Sequence, residues 1–238
     1  MGKEFDETKL IGDGTYTENL PDELRGSFNL EANLEGVAPR LPQIKIMHQA
    51  QMFAMPGGEK VESFMGILLD TNRINAWWEV AYEDSGGGDI PDCFSQNGID
   101  PSPSCLNKQA DSCMSCPQNE FGTKGRGKAC KNMKRIHIIM PDQSFPNRLT
   151  LPPTNLEAID EYIRDLTSAG KPYQLVITKF SLREKSNKDG VAYSYLVPET
   201  VGYITKPKVA DEIKARYHKF KSFMRGQEIL FDEYANEE

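Results

Sequence analysis

The sequence has no apolar run that could cross a membrane. Its longest uninterrupted stretches, such as residues 67–69 and 138–140, are far shorter than the roughly 18 residues that a spanning helix needs. The first residues also lack the apolar core and the small-residue cleavage site of a secretion signal. We therefore expect a cytoplasmic protein that makes no membrane contact.

Recognisable catalytic motifs are also missing. The three histidines, at positions 48, 137 and 218, have no metal-ligand spacing, and the glycine-rich segment at 122–128 lacks the Lys-Ser/Thr pair of a Walker loop. No His-x-Glu precedes the cysteine pair, as a zinc deaminase requires. These absences argue against an enzyme, but a magnesium nuclease whose carboxylates meet only in the fold stays open as an alternative.

The net charge of −7 is unevenly distributed along the 238 residues. Residues 1–35 hold nine acids and three bases, residues 228–238 hold five acids and no base, and residues 36–227 hold 25 bases and 21 acids. Acidic ends can simply keep a protein soluble. They can also flank a mildly basic body that binds a polyanion.

Alternating apolar residues predict strands along most of the chain. Residues 43–55 and 61–69 are expected to form a hairpin around the Met-Pro-Gly-Gly turn at 55–58, with a third strand at 74–80 after a turn at 70–72. Further strands are predicted at 136–140, 173–182 and 191–197.

Two helices are predicted in the second half. Thr154 and Glu157 have the spacing of a capping box at the start of the first helix, which Gly170 ends. The second helix covers about 207–225 and carries an apolar stripe.

This order of elements is that of an OB-fold barrel, although a generic α+β sheet fits it too. We predict a β-rich α+β fold, namely an OB-fold-like antiparallel barrel with a zinc-binding insertion and a C-terminal helix. The predicted organisation is an acidic, loosely ordered arm (1–36), an OB-like domain (37–205) with its insertion (89–133), a helix (206–227) and an acidic tail (228–238).

All five cysteines lie within residues 93–130, a segment with little hydrophobic periodicity of its own. Cys113 and Cys116 have the C-x₂-C spacing with which two thiolates grip one metal ion. For the other two ligands of a tetrahedral zinc site we expect Cys93 and Cys130, with Cys105 as the alternative to Cys93. Four thiolates leave no open position for water, so the predicted zinc is structural.

A basic segment follows the cysteine pair. Residues 121–135 contain six bases, no acid, and glycines that would let the backbone approach a polyanion, although a solvated basic loop has the same composition. The predicted nucleic-acid contacts in this segment are Lys124, Arg126, Lys128, Lys131, Lys134 and Arg135.

The predicted strands supply further candidates, because single-strand binders stack bases on aromatic rings next to a basic groove. The candidate rings are Trp77, Tyr193 and Tyr195, and the candidate flanking charges are Arg73 and Lys179. We expect these residues and the basic segment to form one continuous cradle.

Three motifs carry a family resemblance. They are Pro91-Asp92-Cys93-x-Ser95 with Asn97-Gly98, then Cys113-x-x-Cys116-Pro117-x-Asn119-x-Phe121-Gly122 continuing through Gly125-x-Gly127-Lys128-Ala129-Cys130-Lys131, and Leu151-Pro152-Pro153-Thr154. Over roughly residues 40–200 the chain resembles a family of phage and prophage proteins, mostly described as hypothetical, some of which are associated with single-stranded-DNA binding. The resemblance implies an OB barrel, a zinc subdomain and an acidic C-terminal tail in a phage-encoded protein of a bacterial host. Cys105 is a departure from the pattern.

Together these features predict sequence-tolerant single-stranded-DNA binding in phage-type DNA replication or recombination, without enzymatic activity. The acidic residues 228–238 are expected to compete with DNA or to contact replication or recombination proteins. The alternatives are a nuclease-like enzyme and a zinc-stabilised protein-interaction scaffold.

Overall fold

The computed structural model of the chain describes residues 5–7, 10, 40–80, 90–141, 143, 145–186, 190 and 192–229. In this part of the chain the strands form one curled, open sheet, a half-barrel, against which two helices pack. The strands are β1 (Gln43–Met47), β2 (Met52–Ala54), β3 (Lys60–Val61), β4 (Ser63–Trp77), β5 (Cys93–Ser95), β6 (Lys131–Ile139), β7 (Asn147–Leu151), β8 (Val176–Ser186) and β9 (Ala192–Tyr203). The helices are α1 (Leu156–Ser168) and α2 (Pro207–Arg225).

The strands follow one another across the sheet in the order β3-β2-β1-β7-β6-β4-β8-β9, and β5 pairs with the end of β4. The β-rich fold with a C-terminal helix is confirmed. The expectation of purely antiparallel pairing is wrong at one junction, because β1 and β7 run parallel. The predicted hairpin around residues 55–58 is present but short, because β2 pairs antiparallel with β3 only at residues 53–54 and 60–61. The rest of its predicted second strand belongs to β4, which pairs with β5, β6 and β8.

A single 15-residue strand, β4, replaces the two strands and the turn that were predicted for residues 61–80. Its register against β6 shifts between Leu68 and Asp70, so a β-bulge accommodates one extra residue. Before the bulge, Ile67 and Leu69 pack in the core that contains α2, whereas after it Ile74 and Ala76 pack in a separate cluster with Met133 and Ile229. The residues that β4 contributes to these two clusters are thus odd-numbered before the bulge and even-numbered after it. This change of phase explains why the apolar pattern resembled two separate strands.

Both faces of the sheet are covered in its central part. On one face, Leu68 and Phe180 belong to the core that includes Ile159 of α1. On the other face, Ile67 packs in a second core with Ile213 of α2. Successive strand residues point to opposite faces, so β4 contributes to both cores. Neither described helix has the length and apolar character that a bilayer-crossing helix requires.

The start of α1 differs from the predicted capping box. The helix begins at Leu156, and Asn155 rather than Thr154 occupies the cap position. The buried Asn155 side chain bonds to β9 instead, because its Oδ1 accepts from the Leu196 N–H (2.9 Å) and its Nδ2 donates to the Ser194 carbonyl (3.2 Å). These bonds tie the helix to the sheet.

Polar contacts fix the segment that follows α2. Arg225 at the end of α2 donates Nε and Nη2 to the two carboxylate oxygens of the buried Asp70, at 2.8 and 2.9 Å. Gln96 Nε2 donates to the carbonyls of Gly226 and Gln227, both at 3.3 Å. The chain is therefore held against β4 as it leaves the helix.

Most of the predicted acidic arm (1–36) and most of the acidic tail (228–238) lie outside the described residues. Within the described part of the arm, the Glu7 carboxylate accepts hydrogen bonds from the Thr205 N–H (2.9 Å) and hydroxyl (2.8 Å). Within the described part of the tail, Ile229 is buried in an apolar cluster with Ile74 of β4 and Met133 of β6. Both ends thus have at least one residue that contacts the domain.

Candidate metal centre and nucleic-acid interface

Four of the five cysteines line one small cavity at the end of β4. These four, Cys93, Cys113, Cys116 and Cys130, are the predicted metal ligands, and we call them the cysteine cluster. The cavity between them has a volume of about 20 Å³, close to the space that a single water molecule occupies. The fold therefore brings together residues that are as many as 37 positions apart in the chain.

Backbone hydrogen bonds hold the cysteine cluster in place. The Cys113 N–H donates to the Ile99 carbonyl at 2.8 Å, and the Asn119 side chain donates to the Cys113 carbonyl at 2.6 Å. The Cys130 N–H donates to the Gln118 carbonyl at 2.8 Å. A segment without a substantial core of its own is thus positioned by local polar contacts.

Burial, together with neighbouring thiols, disfavours ionisation of two members of the cysteine cluster. Burial raises the pKa of Cys130 to about 12, and Cys113, Cys116 and Cys93 contribute to the increase. Burial also raises the pKa of Cys93 to about 11, with a contribution from the neighbouring Cys105. A cation held between the sulfurs would oppose the increase in the pKa of Cys93 and Cys130.

The donor set of the cluster fits zinc by its chemistry, because four sulfur ligands form a closed structural site. As the side chains stand, no three His, Cys, Asp or Glu residues in the described part of the chain form a group that could hold a metal ion. Zinc–sulfur bonds are about 2.3 Å long. Binding would therefore require the four side chains to close in on the cavity that they line.

Cys105, the alternative ligand, lies beside the cluster but does not line the cavity. Its sulfur is engaged with β5, where it accepts from the Phe94 N–H and donates to the Phe94 carbonyl, both at 3.2 Å. This arrangement favours Cys93 over Cys105 as the fourth ligand.

Residues 121–128 form a tight hairpin, which we call the basic hairpin. The Gly122 N–H donates to the Gly127 carbonyl at 2.8 Å, and Lys124 and Gly127 form an isolated β-bridge. Gly125 at the tip has a φ of +59°, a conformation that glycine adopts without steric cost. The hairpin is therefore a defined structure rather than an irregular loop.

The basic hairpin presents its charges next to the cysteine cluster. Lys124 and Arg126 are exposed, and Lys128 is half-buried with its Nζ donating to Asn119 Oδ1 at 3.2 Å. Asn119 also bonds to the backbone of Cys113. The hairpin is thus connected to the cluster through this asparagine.

Phe121 is a candidate contact that the sequence analysis missed. Its side chain is 80% exposed, and the Lys128 ammonium lies 5.0 Å from the centre of its ring. The signal was available, because an aromatic residue inside a glycine-rich, basic segment without apolar periodicity has no core to enter. An exposed aromatic ring is thus present on the basic hairpin rather than at the strand positions where one was predicted.

Two of the predicted nucleic-acid contacts are buried instead. Lys134 forms an ion pair with Asp160 of α1. Arg135 is fully buried, and its guanidinium donates to the carbonyls of Gln227 and Glu228. The prediction that these two side chains face a polynucleotide is therefore wrong, because the two covered faces of β6 enclose them.

Two other predicted cations lie on strands near the cluster. Lys131 is half-buried at the first position of β6. Arg73 is exposed on β4, with Nη2 3.4 Å from Asp160 Oδ2. Arg73 is therefore accessible from solvent, although α1 provides a nearby counter-charge.

The remaining sheet residues do not join the basic hairpin in one cradle. Tyr195 is buried in the core against α1, whereas Tyr193 and Lys179 are half-buried on β9 and β8. Lys179 lies opposite Met65, and Trp77 lies twelve positions further along β4, about 40 Å along an extended strand. Trp77, half-buried, is the sheet ring that lies at the cysteine cluster. The predicted continuous cradle is wrong for these β8 and β9 residues.

A comparison of the chain with protein-family models, with curated proteins and with solved structures finds no match. The function is therefore inferred from the residues and their arrangement.

Proposed function

We propose that the protein binds single-stranded polynucleotide with little sequence preference, in phage-type DNA replication or recombination. The observation that carries the proposal is the exposed Phe121 ring on the same hairpin as the exposed cations Lys124 and Arg126. Sequence-tolerant binders combine cations that contact phosphates with rings on which bases stack, and both are present within six residues. The curled sheet, in this proposal, is an OB-like scaffold that carries the insertion.

Zinc has a structural role in this proposal. The four thiolates of the cysteine cluster would hold the ion, which would offset part of their negative charge and fix the position of the basic hairpin. With all four positions taken by sulfur, the metal supplies no open site for catalysis. The protein is therefore proposed as a binder rather than an enzyme.

Protein partners are also part of the proposal. The acidic residues 230–238 interleave carboxylates with Phe231 and Tyr234. Such a composition suits contact with basic surfaces of replication or recombination proteins.

Fluorescence anisotropy with a labelled oligothymidylate of twelve nucleotides, over a salt series, tests this function. We expect measurable binding at low salt, weaker binding to a duplex of equal length, and a steep loss of affinity as salt rises. Each phosphate contact contributes a slope of about −0.7 in log K against log salt for single strands. Three contacts from the basic hairpin would therefore give a slope of about −2.

The absence of binding at low salt would contradict the proposal. Preferential binding to the duplex would contradict the single-strand preference. Cleavage of the oligonucleotide on addition of magnesium would show instead that the protein is a nuclease.

A second function, a zinc-stabilised protein-interaction scaffold, is favoured by one observation. Met114 and Leu106 in the insertion are 87% and 80% exposed. Exposed apolar side chains concentrated on one segment are typical of a protein-binding surface. If no oligonucleotide binds, this scaffold becomes the better-supported function.

A further inference from the structure

One of the two edges of β4 has no partner among the described strands in its middle part. On one edge, β8 pairs with β4 as far as Ile67, and β5 begins to pair at Asn75. Between these two positions no described strand lies on this edge of β4. Gln174 Nε2 reaches the Leu69 carbonyl at 3.5 Å and covers the first part of the opening. The rest, around residues 71–73, borders a groove of about 660 Å³, which we call the edge groove.

The far wall of the edge groove is a preformed loop, residues 96–103. Asn97 Oδ1 accepts hydrogen bonds from the Ser95 hydroxyl (2.9 Å) and from the N–H groups of Ile99 (2.8 Å) and Asp100 (2.9 Å). Because these bonds are internal to the loop, the groove is already shaped for a ligand. Its volume lies within the range of about 300–1,000 Å³ that small-molecule sites occupy.

Glycine sets the width of the edge groove. Gly98 has a φ of +72°, and a Cβ at this position would lie 2.8 Å from the Arg73 Cβ. The loop therefore approaches β4 as closely as it does because residue 98 has no side chain. A larger residue would displace the Arg73 side chain.

The polar groups of the groove suit one phosphate rather than many. Arg225 lines it, but its charge is matched by the two hydrogen bonds to Asp70. Arg73 is 69% exposed and has a 3.4 Å contact to Asp160, which Lys134 also binds. Arg73 is therefore the cation that a ligand in the groove can engage. The remaining wall is made of amide, hydroxyl and proline side chains and the apolar Ile99, with Asp100 as the acid among the lining residues.

We infer that the edge groove holds one nucleotide unit of the single strand, with its phosphate at Arg73 and its base between the open edge of β4 and residues 96–103. This inference rests on the proposed function and adds a second contact site to it. The loop that forms the groove also bonds to the cysteine cluster, because the Ile99 carbonyl accepts from the Cys113 N–H. The groove and the basic hairpin thus both adjoin the same cluster.

The test compares wild type with Arg73→Ala, Arg73→Lys and Gly98→Ala in oligothymidylate binding over a salt series. Lys60→Ala is the matched control, because it removes one exposed cation from β3, at the far end of the sheet. We expect Arg73→Ala to bind several-fold more weakly and to reduce the salt slope by about 0.7. Arg73→Lys should retain the slope. Gly98→Ala should weaken binding with every charge still present, and Lys60→Ala should match wild type.

Two negative results have different meanings. If wild type does not bind the oligonucleotide, the proposed function fails and the inference fails with it. If wild type binds, Lys124→Ala weakens binding, and Arg73→Ala behaves like Lys60→Ala, the edge groove is not a nucleotide site while the proposed function stands.

Discussion

Nη1 of Arg135 donates a hydrogen bond of 2.7 Å to the backbone carbonyl of Gln227, 92 residues further along the chain. The other terminal nitrogen of this guanidinium reaches the carbonyl of Glu228. Arg135 has no solvent exposure, so its charge is used inside the protein. A side chain that seemed suited to phosphate binding instead anchors the chain after α2.

We therefore expect Arg135→Met to lower the free energy of unfolding. The substitution retains most of the buried volume but leaves the buried Gln227 carbonyl and the part-buried Glu228 carbonyl without their donor, at a cost of about 1–3 kcal/mol. Urea denaturation measures this loss. Arg73→Ala, which removes an exposed arginine, should change stability by less than about 0.5 kcal/mol. An Arg135→Met protein that is as stable as wild type but no longer binds oligonucleotide would restore Arg135 as a nucleic-acid contact.

The sequence predicted the fold well where the determining interactions are local. The apolar stripe of α2 and the end of α1 at Gly170 follow from residues within a few turns of each other. The continuity of β4 could not be predicted in this way, because the bulge at residues 68–70 depends on pairing with β6, more than 60 residues later. Long-range pairing also determines the parallel contact of β1 with β7.

In the candidate site, too, features that depend on nearby residues could be predicted, whereas features that depend on residues distant in the sequence could not. The C-x₂-C spacing was sufficient to predict that Cys113 and Cys116 lie together, because a turn of this length is a local structure. Cys93 and Cys130 reach the same cavity through the long-range pairing of β4 with β5 and β6. Charge alone could not separate the exposed Lys124 from the buried Lys134. The difference depends on α1, whose Asp160 meets Lys134 across the sheet.

The ligand assignment predicts different zinc contents for two single variants. Wild type should retain about one zinc per chain after dialysis, since four thiolates form one closed site. Cys93→Ser should lose the metal, whereas Cys105→Ser should keep it, because the Cys105 sulfur is bonded to the Phe94 backbone outside the cavity. Elemental analysis measures both. Retention of zinc by Cys93→Ser together with its loss from Cys105→Ser would reverse the assignment.

Phe121 should contribute to oligonucleotide affinity through stacking. We expect Phe121→Ala to weaken binding by about 1–3 kcal/mol, the usual contribution of one stacked base, and Phe121→Trp to preserve it. The salt slope should stay unchanged, because no charge is removed. Leu106→Ala is the matched control, since Leu106 is an equally exposed apolar residue of the same insertion. An equal loss in both variants would indicate a general apolar effect rather than stacking.

His137 should make stability depend on pH in the mildly acidic range. Burial lowers its pKa to about 3; Asp70 on β4 opposes this shift, and Arg135 and Arg148 support it. An unfolded chain has a histidine pKa near 6.5. At pH values between these two pKa values, the unfolded state binds a proton at His137 that the folded state does not bind. The free energy of unfolding therefore has its full value above about pH 6.5 and decreases as the pH falls below it.

The free energy of unfolding, measured in urea between pH 7 and pH 5, should show this dependence. One proton corresponds to a slope of about 1.4 kcal/mol per pH unit, and His137→Gln should reduce the slope by up to that amount. His218→Gln, at an exposed position of α2, is the matched histidine-to-glutamine control. The pKa of His48 is also lowered by burial, so part of the slope should persist in both variants. Identical slopes for wild type and His137→Gln would mean that His137 is protonated in the folded protein, and hence that its surroundings accommodate a buried positive charge.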